Sequence, residues 1–286
     1  ATVLAMAGVA PPGPMQGESF AGPDRRPHDH VFCSRDRMDE RYDMSRAVMS
    51  RRWLYIRHFR PDIPAVQPLA YQFRGRGYQS WAAEAAAGRL TPESARFWGP
   101  KTTEELYDLE TDPDNVTNLA TDPAHADTIA SLRLALERHM VGTVDNGLVP
   151  EGSPLEGYEA SRAGGGFPVK RAFDLAILAS NAEPHGLGEL LRAIDDPSEP
   201  IRWWGAQGIA MLATRHGPDA VDAAARAAVA RLLDDAAPAV RVAAAEAVCR
   251  SGDPGRGLPV LEGVLRSDAE WPALQAANVL DRLGPI

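Results

Sequence analysis

Glu105-Leu106-Tyr107-Asp108-Leu109-Glu110-Thr111-Asp112-Pro113-Asp114-Asn115, closed by Asn118-Leu119-Ala120, is the stretch that decides how this chain is read. Its first four residues make a short β-prone run, and the Asp, Pro and Asn that follow supply a turn. Thr121-Asp122-Pro123 then offers a cap and a first-turn proline for a helix. Along that helix Ile129, Leu132, Leu136 and Met140 fall on one stripe, and Gly142 is its expected end. Strand, turn and capped helix together read as the close of a compact unit.

Upstream lies the material for a small sheet. His30-Val31-Phe32-Cys33-Ser34, Arg46-Ala47-Val48-Met49 and Trp53-Leu54-Tyr55-Ile56-Arg57-His58-Phe59 are β-prone, and Ser50-Arg51-Arg52 is short enough to make the last two a hairpin. Before the sheet, Ala1 to Gly8 have helical spacing of apolar residues (Val3, Leu4, Met6, Ala7) that stops at Gly8, and a Pro- and Gly-rich loop follows. Residues 78–88 are alanine-rich and helical, and Thr91-Pro92-Glu93 starts another helix. The loop Arg35-Asp36-Arg37-Met38-Asp39-Glu40-Arg41-Tyr42 carries charges of both signs at a sheet end, where binding groups often sit.

With 286 residues and 44% hydrophobic content the chain can bury the cores of two domains. No stretch reaches the ~20 apolar residues of a membrane-spanning helix, so no transmembrane segment is expected. Ala1-Thr2-Val3-Leu4 has neither an initiator Met nor a basic leader and reads as the inside of a helix. A fragment of a longer protein is therefore expected. Cys33 and Cys249 are far apart and read as buried thiols rather than a disulfide framework.

The formal charge of -9 argues against nucleic acid as a partner. Residues 24–78 nonetheless hold 12 arginines against seven acids, which suits either a local surface for a small anionic substrate or a solvated sheet edge.

After residue 146 the composition shifts to Gly, Pro and Glu, including Gly164-Gly165-Gly166. The chain accordingly divides into residues 1–152, a linker at 153–167 and a helical part at 168–286. In that part Pro168-Val169-Lys170, Pro200-Ile201-Arg202 and Pro238-Ala239-Val240-Arg241 each open an alanine-rich helix. Their prolines are 32 and 38 residues apart, and Asp195-Asp196 and Asp234-Asp235 precede the last two. The pattern resembles HEAT repeats, in which a basic residue after the proline pairs with an acidic loop residue. A final unit, Trp271-Pro272 to Leu283, has one helix. Arg202-Trp203-Trp204 is read as a packed helix face, with an exposed partner site as the rival.

Several motifs are weaker than they look. Asp108, Glu110, Asp112 and Asp114 alternate like the start of a calcium loop, but Pro113 and Leu119 stand where that loop needs Gly and Glu. His28-Asp29-His30 near Cys33 has zinc-compatible chemistry without a second cluster. Arg74-Gly75-Arg76-Gly77-Tyr78 is a single copy of an RNA-binding type of pattern in an acidic chain.

Taken together, Ala1-Thr2-Val3-Leu4-Ala5-Met6-Ala7-Gly8, Met15-Gln16-Gly17-Glu18-Ser19-Phe20, Trp53-Leu54-Tyr55-Ile56 and the opening stretch resemble the late segment of sulfatases. Asp145-Asn146-Gly147-Leu148-Val149-Pro150-Glu151 further resembles the heparan N-sulfatase-like branch. The resemblance covers residues 1–152.

It implies an α+β fold, a small antiparallel sheet with packed helices forming the sulfatase C-terminal subdomain, followed here by an all-α HEAT-like solenoid. It also implies hydrolysis of a sulfuric ester or sulfamate, on a sulfated saccharide, in the periplasm or outside the cell. In the family a Cys in C-x-[PA]-S-R becomes formylglycine and a divalent cation, usually calcium, helps hold the sulfate. Neither Cys33-Ser34-Arg35 nor Cys249-Arg250-Ser251 fits that motif. Calcium and formylglycine are therefore expected in an upstream sulfatase core, the first partner of this chain, and the chain alone is expected to be inactive.

Within the charged loop, Arg37, Asp39 and Glu40 are the expected substrate contacts, since arginine holds sulfate and carboxylates accept sugar hydroxyls. Residues 1–152 are also expected to leave an apolar face uncovered. The rival function is a non-catalytic scaffold whose solenoid binds a protein partner.

Overall fold

The computed structural model describes residues 1–284 apart from 24, 27, 165 and 166. Two residues of the Gly164-Gly165-Gly166 linker motif thus lie outside the described residues.

Helix α1 (Thr2–Met6) buries none of its residues. Four strands follow, β1 (Val31–Arg35), β2 (Ser45–Met49), β3 (Trp53–His58) and β4 (Glu104–Asp108), in an antiparallel sheet of order β1-β2-β3-β4. Between β3 and β4 run α2 (Arg76–Ala86) and α3 (Pro92–Ala95), and Thr91 caps α3 through its hydroxyl as expected. Ser50 closes the β2–β3 hairpin, its hydroxyl accepting the Trp53 N–H at 2.9 Å.

The opening stretch folds for local reasons. The Asn118 side-chain oxygen accepts N–H bonds from Leu106 and Ala120, each at 2.9 Å, and Leu119 N–H donates to the Leu106 carbonyl. Asn118 therefore satisfies the outer edge of β4, which has no further strand beside it among the described residues. Asp112 accepts from the N–H groups of Val116 and Thr117, which builds the turn, while Asp108 pairs with Arg52 at 2.7 Å. Helix α4 (Ala126–Gly142) buries Ile129, Leu132, Leu136 and Met140, the stripe read from spacing.

Phe32, Val48, Tyr55 and Leu106 lie side by side across the sheet on the face that meets α4. On the same face Phe32 stacks on His139 with ring centres 3.8 Å apart. Cys33 points the other way from this edge strand and is exposed, against the expectation of two buried thiols; Cys249 is buried.

Residues 153–167 hold a short helix, α5 (Tyr158–Arg162), with Ser161 buried. Seven helices follow: α6 (Val169–Asn181), α7 (Leu187–Ala193), α8 (Glu199–His216), α9 (Ala223–Ala230), α10 (Pro238–Arg250), α11 (Pro254–Leu265) and α12 (Glu270–Leu283). The even-numbered helices α6, α8, α10 and α12 stack in sequence, and α7 and α11 pack against α8 and α10. Pro168, Pro200 and Pro238 all sit at helix starts, where a missing N–H costs nothing. Gly208 lets α8 approach closely, since a Cβ there would lie 2.4 Å from Leu190 and 2.9 Å from Ala179. None of the described helices is long and apolar enough to cross a membrane.

Sheet and stack share one hydrophobic core. Phe59, just past β3, has its ring 6.3 Å from Phe173 of α6 and 6.3 Å from Trp204 of α8. Trp203 and Trp204 are buried, and the Trp204 indole donates to the Leu148 carbonyl at 3.0 Å, so this pair is packing and not an exposed partner site. Beyond Phe59, Arg60 pairs with Asp62 at 2.8 Å and faces Glu246 of α10 at 3.8 Å, and Glu246 also takes Arg250 and Arg282.

Glu246 is fully buried. Burial opposes its charge, but Arg282, Arg60 and Arg250 hold its carboxyl below the usual range. Replacing Glu246 by alanine leaves buried arginines short of a counter-charge and is expected to cost about 3–5 kcal/mol. Urea denaturation followed by circular dichroism and by tryptophan fluorescence checks this. One coincident transition is expected in both proteins, because a shared core ties sheet and stack together.

Candidate functional site

Most arginines of the sheet and its loops, among them Arg37, Arg41, Arg46, Arg57 and Arg60, belong to neither a free basic surface nor a solvated edge, whereas Arg51, Arg74 and Arg76 stay exposed. Arg46 of β2 and Arg57 of β3 are directly opposed on one face, an arrangement that repels unless each has its own counter-charge. Arg46 makes a two-pronged bond to Asp145 at 2.7 and 2.9 Å and reaches Asp36 at 3.0 Å. Arg57 donates to Asn181 at 2.8 Å, to Ser180, and to the Ile177 carbonyl of α6, with Glu104 at 3.8 Å. Glu104 is itself clasped by Arg133 of α4 and by the Tyr55 hydroxyl at 2.6 Å. Arg41 meets Asp281 of α12, and Lys101 meets Asp43 at 3.0 Å. Charge counted along the chain missed the acids that come from distant segments, such as Asp145, Glu151 and Asp281.

The Asp145 to Glu151 run is where these pairings converge. Asp145 caps its own short turn by accepting the Gly147 N–H at 2.8 Å while binding Arg46. Gly147 leaves room for that pairing: a Cβ there would stand 1.9 Å from an Arg46 nitrogen and would push the guanidinium from its place. At the other end of the run Glu151 holds Arg37 in two bonds of 2.8 and 2.6 Å and accepts from Gln275 of α12 at 3.3 Å.

The charged loop at residues 35–42 is thereby docked on the last helix of the stack. The Arg37 guanidinium lies 5.9 Å from the Trp271 ring and 5.8 Å from that of Tyr42. Asn278 of α12 donates to the Glu40 carbonyl at 2.9 Å and accepts the Tyr42 N–H at 3.3 Å. The Glu40 carboxylate accepts the Ala70 N–H at 2.6 Å, which holds its pKa below the usual value. Asp39 is exposed at the loop tip with φ of 47°, and among the described residues its carboxylate has no partner. Of the three expected substrate contacts, Arg37 and Glu40 are thus committed within the protein and Asp39 is open.

Beside this loop, β1, β2 and the end of α4 enclose a cleft of about 390 Å³. Phe32, Ser34, Asp36, Arg46, His139 and Asn146 contribute to its lining. Burial pushes the Asp36 carboxyl up and the His139 imidazole down. Such a wall of stacked rings, hydroxyl, amide and carboxylate can bind a polar ligand by hydrogen bonds. Among the described residues no three His, Cys, Asp or Glu side chains come together as metal ligands.

No known family profile matches the chain. A curated relative, the ulvan-active sulfatase of Formosa agariphila, is 32% identical over 152 residues, which is 52% of this chain and 26% of that protein. About half of this chain is sulfatase-like. The chain spans about a quarter of that relative's length. Among solved structures, a 2-O GAG sulfatase is similar over 51% of this chain and 24% of its own, at 20% identity and a TM-score of 0.33. A sulfatase-like protein of Bacteroides thetaiotaomicron covers the same shares at 22% identity and a TM-score of 0.32.

Acid should loosen the ion-paired framework. Burial would raise the Asp62 carboxyl, but Arg60, Arg282 and Lys101 outweigh it and hold the pKa at about 2. Arg46 likewise keeps Asp145 low against its burial. A carboxyl depressed in the folded state adds stability above its unfolded pKa of about 4 and loses it as pH falls through the folded value. Thermal unfolding midpoints are therefore expected to drop steeply between about pH 4 and pH 2.

Proposed function

We propose that this chain is the C-terminal portion of a sulfatase that acts on a sulfated saccharide, and that it forms walls of the substrate pocket. The 32% identity to the ulvan-active sulfatase over half of this chain carries the reading. The Asp145 to Glu151 run supports the heparan N-sulfatase-like branch within it. The upstream core would supply formylglycine and calcium, and the whole enzyme would work in the periplasm or outside the cell. Val3, Met6, Met15 and Phe20 in the N-terminal segment and Val31 and Met49 on the sheet are exposed, which suits a surface that such a core covers.

We read the stacked helices as HEAT-like repeats. Arg202 grips Asp235 at 2.7 Å as that reading expects; in the first unit Arg171 rather than Lys170 reaches the acidic loop, at Asp196, while Lys170 pairs with Asp174 and Glu137, and Arg241 donates to the Asp235 and Ala236 carbonyls. In this protein the stack acts on the sulfatase-like part by holding the loop at residues 35–42. Asp39 is then the carboxylate offered to sugar hydroxyls, and Arg37 and Glu40 keep its loop in place.

Sulfate release from a sulfated oligosaccharide, followed by ion chromatography, tests the first claim. The chain alone is expected to release none, and the chain continuous with its upstream core is expected to release sulfate. A gene whose upstream region has no C-x-[PA]-S-R overturns the reading.

In that active protein Asn278→Ala should raise KM about threefold to tenfold with kcat within twofold, because α12 would hold the loop less firmly. Unchanged KM would mean that the stack does not position the loop.

A further inference from the structure

The segment between β3 and β4 carries a cluster that neither the core nor the sulfatase-like reading uses. Phe73, Tyr78, Trp81, Phe97 and Trp98 are linked ring to ring, with centres 5.4–6.5 Å apart. All five are only half-buried and none belongs to the main hydrophobic core. Helix α2, which carries Tyr78 and Trp81, buries no residue, and Tyr71 beside it is 75% exposed.

Arg74 and Arg76 stand at the same place, on either side of Gly75. Both are exposed, and among the described residues neither makes an ion pair or a side-chain hydrogen bond. They contrast with Arg37, Arg41, Arg46, Arg52 and Arg60, each of which has a carboxylate partner. In a protein of net charge -9, two arginines beside half-buried rings and the exposed Tyr71 leave local positive charge that no described acidic side chain pairs with. The first turn of α2 has no acidic residue either.

We propose that Tyr71, Arg74, Arg76 and the neighbouring rings form a docking platform for a sulfated polysaccharide strand, separate from the cleft beside α4. The C–H face of a pyranose ring is apolar and packs on an aromatic ring, while its sulfate esters are anions that arginine binds in two-pronged fashion. A platform of rings flanked by guanidinium groups matches both parts of such a chain. A nucleic acid would share the charge but meets an acidic protein over the rest of the surface, and a protein partner would not require sulfate. The proposal rests on the sulfated-saccharide reading given above and extends it to a second contact with the polymer.

Native gel electrophoresis of the full chain through gels containing dextran sulfate or neutral dextran tests it. Retardation by dextran sulfate alone is expected, with at least tenfold weaker affinity in the Arg74→Ala/Arg76→Ala double variant. Tyr71→Ala should weaken binding at least threefold, and Arg51→Ala, which removes another exposed and unpaired arginine, should leave it unchanged. Equal retardation of the double variant and the wild type, equal retardation by both polymers, or no retardation of the wild type overturns the platform. Sulfate release by the protein joined to its upstream core is scored separately. Binding without release overturns the enzymatic reading and leaves the platform standing, and release without sulfate-dependent binding overturns the platform alone.

Discussion

Arg60 and Glu246 bring opposite charges together in the buried interior, and segments from both halves of the chain keep them satisfied. Arg60 lies two residues past the end of β3, and Glu246 sits inside the stack on α10. A buried ion is costly unless its partners are close and well oriented. Asp62, Arg250 and Arg282 complete the set, so a segment after β3, helix α10 and helix α12 must all be in register. Hydrophobic packing of Phe59 between Phe173 and Trp204 supplies the attraction, and the charges decide the geometry.

That geometry reaches the loop at residues 35–42. The same helix that brings Arg282 to Glu246 carries Trp271, Gln275, Asn278 and Asp281 to the loop and to Glu151. The stack is therefore part of the scaffold that shapes the sulfatase-like half. An appended module joined only by a linker would leave Glu246 and Arg57 without their partners from the other half of the chain.

The strands, the α4 stripe and the helix-opening prolines were all legible in the sequence. Each depends on residues a few positions apart, and alternation, turn chemistry and capping act over that range. The fate of Arg37 and Glu40 was not legible. Residue type marks them as able to hold sulfate or hydroxyls, but Glu151 and the Ala70 N–H claim them first. The exposure of Cys33 was equally hidden, since a one-residue change of register would turn it inward.

The sequence by itself determined the strands, the capped or striped helices and the likeness of about half of the chain to sulfatases, because these are written in local patterns, but residues 153–167 read as a linker where α5 forms. Only the tertiary structure decided where the charges go. Arg46 and Asp145 are 99 residues apart, and Arg41 and Asp281 are 240 apart. Coulomb attraction depends on distance in space and on exclusion of water, and neither is encoded at fixed spacing along the chain.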